Sequence, residues 1–494
     1  MNKVIKVLHI GNIANNAYLN AKILNASKKY KCDVLVADYY HIMGCPEWED
    51  AKLDSTVNEF FPNWVNAKLN NFKRPDWFSN GPRFFAIKYL TGSRKTRIIF
   101  SFINKFFSWL ITYKLLRKFT DLSLRLSLIF IFRFEFFLKK VNRQKLSKEF
   151  ILSYKAHHNF FISKFPNRKK ELKRSDELFF NYKQLYLYKT LFDKYDIIHC
   201  YGTDPIWPYI ANFKNYVAYE HATIRKLPFD DTPLGRLVAA SYSKSKHTII
   251  TNCDSDKYAK KLKCSQFSFV PHPINERWLK EDFGNSLRKK LETELNTDFI
   301  LFHPPRQHWE PWRKLKKIKS YEIDPAWYKG NDIFFEGFAN FCKTSKINAS
   351  VICVEWGQSV KNSKKLLAEL NISNRIKWIP PQSCYKMNEF IRSSDLLADQ
   401  FWVGAFGSTL PKALQNNVAG MCYINERDHE WCLKELPPIL NAKDPKEISF
   451  LLSKAYHNRE WLQNLADKGK VWYNKYHSNN VILSKLDKIY TSII

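Results

Sequence analysis

Residues 395–424, DLLADQFWVGAFGSTLPKALQNNVAGMCYI, constrain the fold more than any other stretch of the chain. They read as the end of a strand from Asp395 to Asp399, a turn holding Gly404 and Gly407, a helix, and a second strand, MCYI. The glycines supply the backbone freedom that a tight turn needs. Ser408 and Thr409 are helix-capping types, Pro411 suits a first-turn position, and Gly420 is expected to close the helix. A helix start behind a glycine turn presents free N–H groups and the positive end of the helix dipole, a place for a phosphate. A ligand-free βαβ connection carries the same pattern, so the meaning of this unit depends on what stands upstream.

Upstream, DFILFHPPR (298–306) is a strand ending in Arg306. KGNDIFFEGFANFC (329–342) opens on Lys329-Gly330, offers Asn331 or Asp332 as cap, and continues with apolar residues at helical spacing. ASVICVEW (349–356) and RIKWIP (375–380) are strands, and helices are expected over 359–370 and 384–393. The first half begins in the same style. VIKVLHIGNIANNAYLNAKIL (4–24) is a buried strand, a Gly11-Asn12 turn and a helix, without the GxGxxG that would indicate a dinucleotide. DVLVADYY (33–40), YDIIHCY (195–201), NYVAYEH (215–221), HTIITN (247–252) and FSFVPHPIN (267–275) are further strands. The aromatic-rich stretch before about residue 90 (PEWED, FFPNW, RPDWF) shows no period and is left unassigned. Asp254-Ser255-Asp256 has the spacing of a metal-binding DxD, but it precedes the helix DKYAKKLK and is expected to cap it.

The order strand–Arg, Lys-Gly–helix, strand, strand–Gly turn–helix resembles the donor-binding half of GT-B glycosyltransferases, and in particular glycosyltransferase family 4. The resemblance covers roughly 1–60 and 185–494. It implies an α/β fold of two Rossmann-like domains facing a cleft: 1–280 with a basic, aromatic-rich helical insertion over about 60–185, 281–475 for the nucleotide-sugar, and a helix over 476–494 crossing back to the first domain. It further implies a retaining transfer from a nucleotide-sugar, with no cofactor and no metal. Arg306 and Lys329 would clamp the donor diphosphate, helped by Gly11 and by the helix start at Ser408 and Thr409. His199, Tyr201 and His221, at strand ends facing the cleft, would lie near the reacting sugar. The family typically has two glutamates eight positions apart before its last helix-closing glycine. Anchoring on Gly420 puts Gly407 and Gln415 at those places, while anchoring on GAFG puts Gly404 and Lys412 there, and no glutamate occurs between Glu389 and Glu426. Gln415 can still accept a ribose hydroxyl bond, whereas Lys412 can only donate. Asp399-Gln400 resembles the DQ…G turn of members that lack the first glutamate.

Charge adds a second theme. The net charge is +32, and residues 91–170 hold 19 Lys and Arg against 3 Asp and Glu, a surplus equal to half of it. Such a concentration seeks phosphates, of anionic lipid or of nucleic acid. Within it, 98–140 is apolar but broken by Lys105, Lys114, Arg117, Asp121, Arg125 and Arg133, which argues against a spanning helix and suits an amphipathic one lying on an anionic membrane surface. A helical insertion packed on its own domain remains the alternative, and a nucleic-acid reading has no recognised motif to support it. The ten cysteines are scattered without a CxxC, and the chain opens directly on a strand, which together favour a reducing cytoplasm and no leader. The expected function is a cytoplasmic, membrane-peripheral glycosyltransferase acting on a lipid-linked or cell-envelope glycan. A non-catalytic GT-B protein that binds nucleotide-sugar or glycan is the alternative, and nucleic-acid binding comes after both.

Overall fold

The computed structural model describes residues 3–53, 57–110, 152–180, 182–309, 327–343 and 347–494. Its apolar runs form two parallel sheets. The first contains β1 (Ile5–Ile10), β2 (Tyr30–Ala37), β3 (Phe78–Gly81), β4 (Ile197–Tyr201), β5 (Tyr216–Tyr219), β6 (His247–Ile250) and β7 (Phe267–Phe269), in the order β3-β2-β1-β4-β5-β6-β7. The second contains β8 (Phe299–His303), β9 (Ala349–Val354), β10 (Ile376–Ile379), β11 (Leu396–Ala398), β12 (Ala419–Cys422) and β13 (Leu440–Asn441), in the order β10-β9-β8-β11-β12-β13. Parallel strands need both faces covered, which explains why β4 and β8 read as unbroken buried runs rather than alternating ones.

Helices close both faces of each sheet. One face of the first sheet packs on Arg83–Thr91, Tyr154–Lys164, Tyr182–Phe192 and Pro233–Lys244. The other packs on Asn16–Ala26 and on the last helix, Asn479–Ile493, whose Ile482, Leu486, Ile489 and Tyr490 are buried among Val7, Val34 and Val217. The end of the chain thus returns to the first domain. In the second sheet, Asn331–Cys342 lies against Pro445–His457 so closely that a Cβ on Gly337 would stand 2.6 Å from Ile448. A separate apolar cluster joins the domains: Cys253, Phe269 and Ile274 from the first meet Phe406, Leu410, Trp472 and Tyr473 from the second.

Several local expectations change. β3 and the helix after it lie within the span read as an insertion, yet they form an edge strand and part of the core, with register Val34 to Phe78 through Ala37 to Gly81. Just after the boundary expected at 280, the helix Ser286–Leu295 forms and buries Leu291. The helix of the opening segment is only Thr409–Gln415. Gly420 does not close it; it lies in β12, where a Cβ would collide with Leu410, and Asn417 takes the left-handed turn with φ of 60°. At the Lys-Gly helix, Gly330 itself is the N-cap at φ 68°, and Asn331 turns to other partners. Asp254 and Asp256 do not cap their helix with a side chain; they pair with Arg225 and Lys260. Residues 111–140 of the amphipathic segment, 139–151 of the basic tract and 310–326 between Arg306 and Lys329 lie outside the described residues.

Candidate functional site

Strand order locates the site before any side chain is considered. In the first sheet the chain reverses direction of travel between β1 and β4, and in the second between β8 and β11. At such a switch point the loops leaving adjacent strands part in opposite directions and leave a crevice at the carboxyl ends. Gly11 follows β1 and Gly202 follows β4; Arg306 follows β8 and Asp399-Gln400 follows β11. The sites named from sequence fall on these loops because strand ends are where the pattern is most legible.

The second-domain side is polar and basic. Lys329 N–H donates to the His308 carbonyl at 2.8 Å, so the two ends of the span after β8 meet and bring Lys329 beside Arg306. Asn331 fastens the arrangement: its Nδ2 donates to His303 Nε2 at 2.9 Å, and its Oδ1 accepts from His308 N–H at 3.2 Å. Lys329 Nζ donates to Gln400 Oε1 at 2.8 Å, and Gln400 Nε2 in turn bonds the Ala405 carbonyl within the glycine turn. Gly404 takes φ of 76°, which a side chain would resist. Burial lowers the Lys329 pKa; Asp399 opposes the shift, while Arg225 and Arg306 reinforce it.

Asp399 is buried, its pKa is raised to about 6 by that burial against the pull of Lys329, and its Oδ2 accepts from Leu410 N–H at 3.2 Å. It is the cap of the short helix. One of the N–H groups expected for a phosphate is thus already satisfied within the chain, while Ser408 makes no capping bond and is half-buried with Thr409 beside it. Gln415 is buried; its Nε2 donates to Tyr473 Oη at 3.3 Å, and its Oε1 has no partner among the described residues. Lys412 is half-buried on the same helix, and its charge opposes the rise in the Asp399 pKa.

On the first-domain side His221 stands at the cleft. Asn16 Nδ2 lies 3.3 Å from His221 Nδ1 and 3.3 Å from His272 Nδ1. An amide nitrogen only donates, so both rings accept at Nδ1 and carry their proton on Nε2. Burial pushes the His221 pKa down to about 4, so the ring is neutral at physiological pH and offers an N–H donor. Its neighbour Glu220 is a latch: the carboxylate accepts from the N–H groups of Ala222, Thr251 and Asn252. His199 and Tyr201 are elsewhere. They are 0% and 1% exposed within the domain core, His199 bonded to Tyr490 Oη at 2.6 Å and Tyr201 to His9 and Asn20. Gly11 has φ of 87°, and a Cβ there would collide with Asp204 Oδ2.

Residues that sequence reasoning did not assign complete the wall. Arg225 holds Asp254 in a two-bond pair at 3.0 and 2.6 Å. Glu59 reaches across from the first domain: its Oε1 accepts from Arg306 Nη2 at 3.0 Å and lies 3.0 Å from His41 Nε2. The His41 hydrogen bond, aided by Arg306, holds the Glu59 carboxyl below its ordinary pKa, so it is ionised at neutral pH. Arg306 also lies over the Trp356 ring, 4.6 Å from its centroid. Among the described residues no group of three or more His, Cys, Asp or Glu side chains could hold a metal ion, and no helix is long and apolar enough to cross a membrane.

No protein-family model matches the chain, and no curated protein matches it in sequence. Among solved structures it is similar to HepE of Anabaena in complex with UDP, with 13% identity and a TM-score of 0.50 over 63% of this chain and 82% of that one. The fold is GT-B. A sucrose-phosphate synthase of Thermosynechococcus elongatus is also similar, at 11% identity and a TM-score of 0.45 over 65% of this chain and 80% of that one. So is the lipopolysaccharide outer core galactosyltransferase WaaB, at 11% identity and a TM-score of 0.43 over 63% and 80%. At these identities the likeness is one of fold, and the two switch points described above are the crevice walls of the GT-B cleft.

Proposed function

We propose that the chain is a glycosyltransferase of the family 4 type that moves a sugar, with retention, from a nucleotide-sugar to a lipid-linked or cell-envelope glycan. The observation that carries this reading is the convergence of Arg306 and Lys329 at the second switch point, held by the Lys329–His308 backbone bond and facing Arg225 across the cleft. Two preorganised cations at one point suit a departing nucleoside diphosphate, whose charge grows as the glycosidic bond breaks. They supply that charge without a resident metal. His221, neutral and carrying its proton on Nε2, suits a hydrogen bond to a sugar oxygen rather than proton abstraction. Gln400 fixes the Lys329 ammonium, and Asp399 balances it from beneath.

Association with an anionic membrane surface, cytoplasmic side inward, completes the proposal. The helix Arg94–Leu110 turns Phe100 and Ile103 toward the core but leaves Ile98, Ile99, Phe102 and Phe106 more than half exposed, beside exposed Arg94, Lys95 and Lys105. An outward apolar stripe edged by cations is the composition of an interfacial helix. A screen of UDP-, GDP- and ADP-sugars for turnover tests the central reading. Release of nucleoside diphosphate from one of them supports it; binding without turnover leaves a nucleotide-sugar-binding protein; neither, with salt-sensitive RNA or DNA binding, rejects it.

A further inference from the structure

Beside the helix Asn16–Ala26 lies a cavity of about 460 Å³ that shares no residue with the cleft. Its apolar wall is the half-buried Trp77 with Phe72 and Pro75, and Trp77 is backed by the buried Tyr18, the two rings stacked with centroids 5.3 Å apart and planes 19° from parallel. Trp77 comes from the aromatic stretch that showed no period, and its carbonyl accepts from Val34 N–H at 2.7 Å, which fixes it to the sheet edge. The rim carries Lys22, Lys73 and Arg277 against a single carboxylate, Asp50. That carboxylate is already spent. Lys22 Nζ lies 2.8 Å from both its oxygens, Tyr18 Oη and Asn275 Nδ2 donate to it, and its pKa is lowered despite burial, chiefly by Lys22. Arg277 stands 3.9 Å away with its side chain half exposed, and Lys73 is exposed. The half-buried Trp77 face is therefore edged by exposed Lys73 and by half-exposed Arg277, which lies over the Trp278 ring.

We propose that this cavity is a binding site for a saccharide bearing anionic groups. The apolar face of a sugar ring lies on Trp77, and its carboxylate or phosphate meets Lys73 and Arg277 in charge-assisted bonds. A nucleotide is the other anionic ligand with a flat apolar face, but reading a base edge needs fixed donors and acceptors. The polar groups here are the exposed Asn71 and the Asp50 oxygens, which are occupied. The site does not depend on the donor-site reading and stands or falls separately.

The test is binding of tetragalacturonate to the full chain by saturation-transfer NMR, with maltotetraose and UMP as comparison probes. Tetragalacturonate should bind at least fivefold more tightly than maltotetraose. Lys73→Glu and Arg277→Gln, each checked for folding by thermal denaturation, should each weaken it at least tenfold, and Trp77→Ala should do the same. Because the chain is so basic overall, Lys468→Glu, on an exposed helix of the second domain, serves as the charge control and should change binding less than twofold. Arg306→Ala should leave this binding intact, whatever it does to nucleotide affinity. Equal binding of the neutral probe, equal losses in the control, competition by UMP, or loss in Arg306→Ala would each overturn the assignment.

Discussion

Glu59→Gln is the most informative single substitution in the cleft. The carboxylate occupies the guanidinium of Arg306 that a donor diphosphate would need, so every binding event must first break that pair. Arg306 and Glu59 are 33% and 30% exposed, about a third, and the pair is accordingly discounted for solvent screening. What remains is about 0.5–1 kcal/mol, and removing the competing charge should tighten UDP binding by about two- to fivefold. The amide retains the shape of the side chain, and the Glu59 carbonyl keeps its bond from Ile42 N–H at 2.9 Å, so the loop is not released. Titration calorimetry with UDP is the assay, run in the wild-type background and in Arg306→Ala. The gain should vanish in the second background, because the two groups act on one another. Unchanged or weaker binding in Glu59→Gln would refute the reasoning, and would make Glu59 a group that positions Arg306 rather than one that competes for it.

Asp399, with its pKa raised to about 6, sets a pH dependence. An incoming anion raises that pKa further, so binding takes up a proton: affinity for a UDP-sugar, whose phosphates stay ionised, should rise as pH falls from neutrality and level off below about 6, and Asp399→Asn should remove the slope. Gln415→Glu would place a carboxylate beside the Tyr473–Glu276 hydrogen bond in a buried site. It should lower stability by about 1–3 kcal/mol in thermal denaturation, while Lys412→Glu should be tolerated; tighter nucleotide binding in Gln415→Glu would instead support the Gly420 register. The chain should sediment with vesicles containing anionic lipid and be released by high salt, and Phe102→Ser with Phe106→Ser should abolish sedimentation at low salt.

The features legible in the sequence are those set by local patterns. A strand ending in Arg306, a Lys329-Gly330 turn and the glycine turn before Thr409 each declare themselves within a dozen residues, and the topology carries all three to one crevice. What was hidden depends on distant partners. His199 and Tyr201 share a face of β4 by the two-residue period of a strand, but what covers that face is Tyr490, nearly three hundred residues away on the closing helix. Gly420 looks like a helix stop because glycine often is one; its reason here is Leu410, which leaves no room for a side chain in β12. Gln415, the candidate of the Gly420 register, faces Tyr473, a contact made by a helix later in the chain. Glu59 had no signal at all, since its loop is held by the bridge of His41 to Phe60 rather than by any periodic element.

The central claim is that Arg306 and Lys329 hold the diphosphate of a nucleotide-sugar. The direct measurement is the affinity of UDP, GDP and ADP for the wild type, Arg306→Ala and Lys329→Ala, by titration calorimetry at fixed salt. One nucleotide should bind the wild type, and each substitution should weaken it at least tenfold, about 1.4 kcal/mol. Equal affinity in all three proteins, or no binding to any, would contradict the claim.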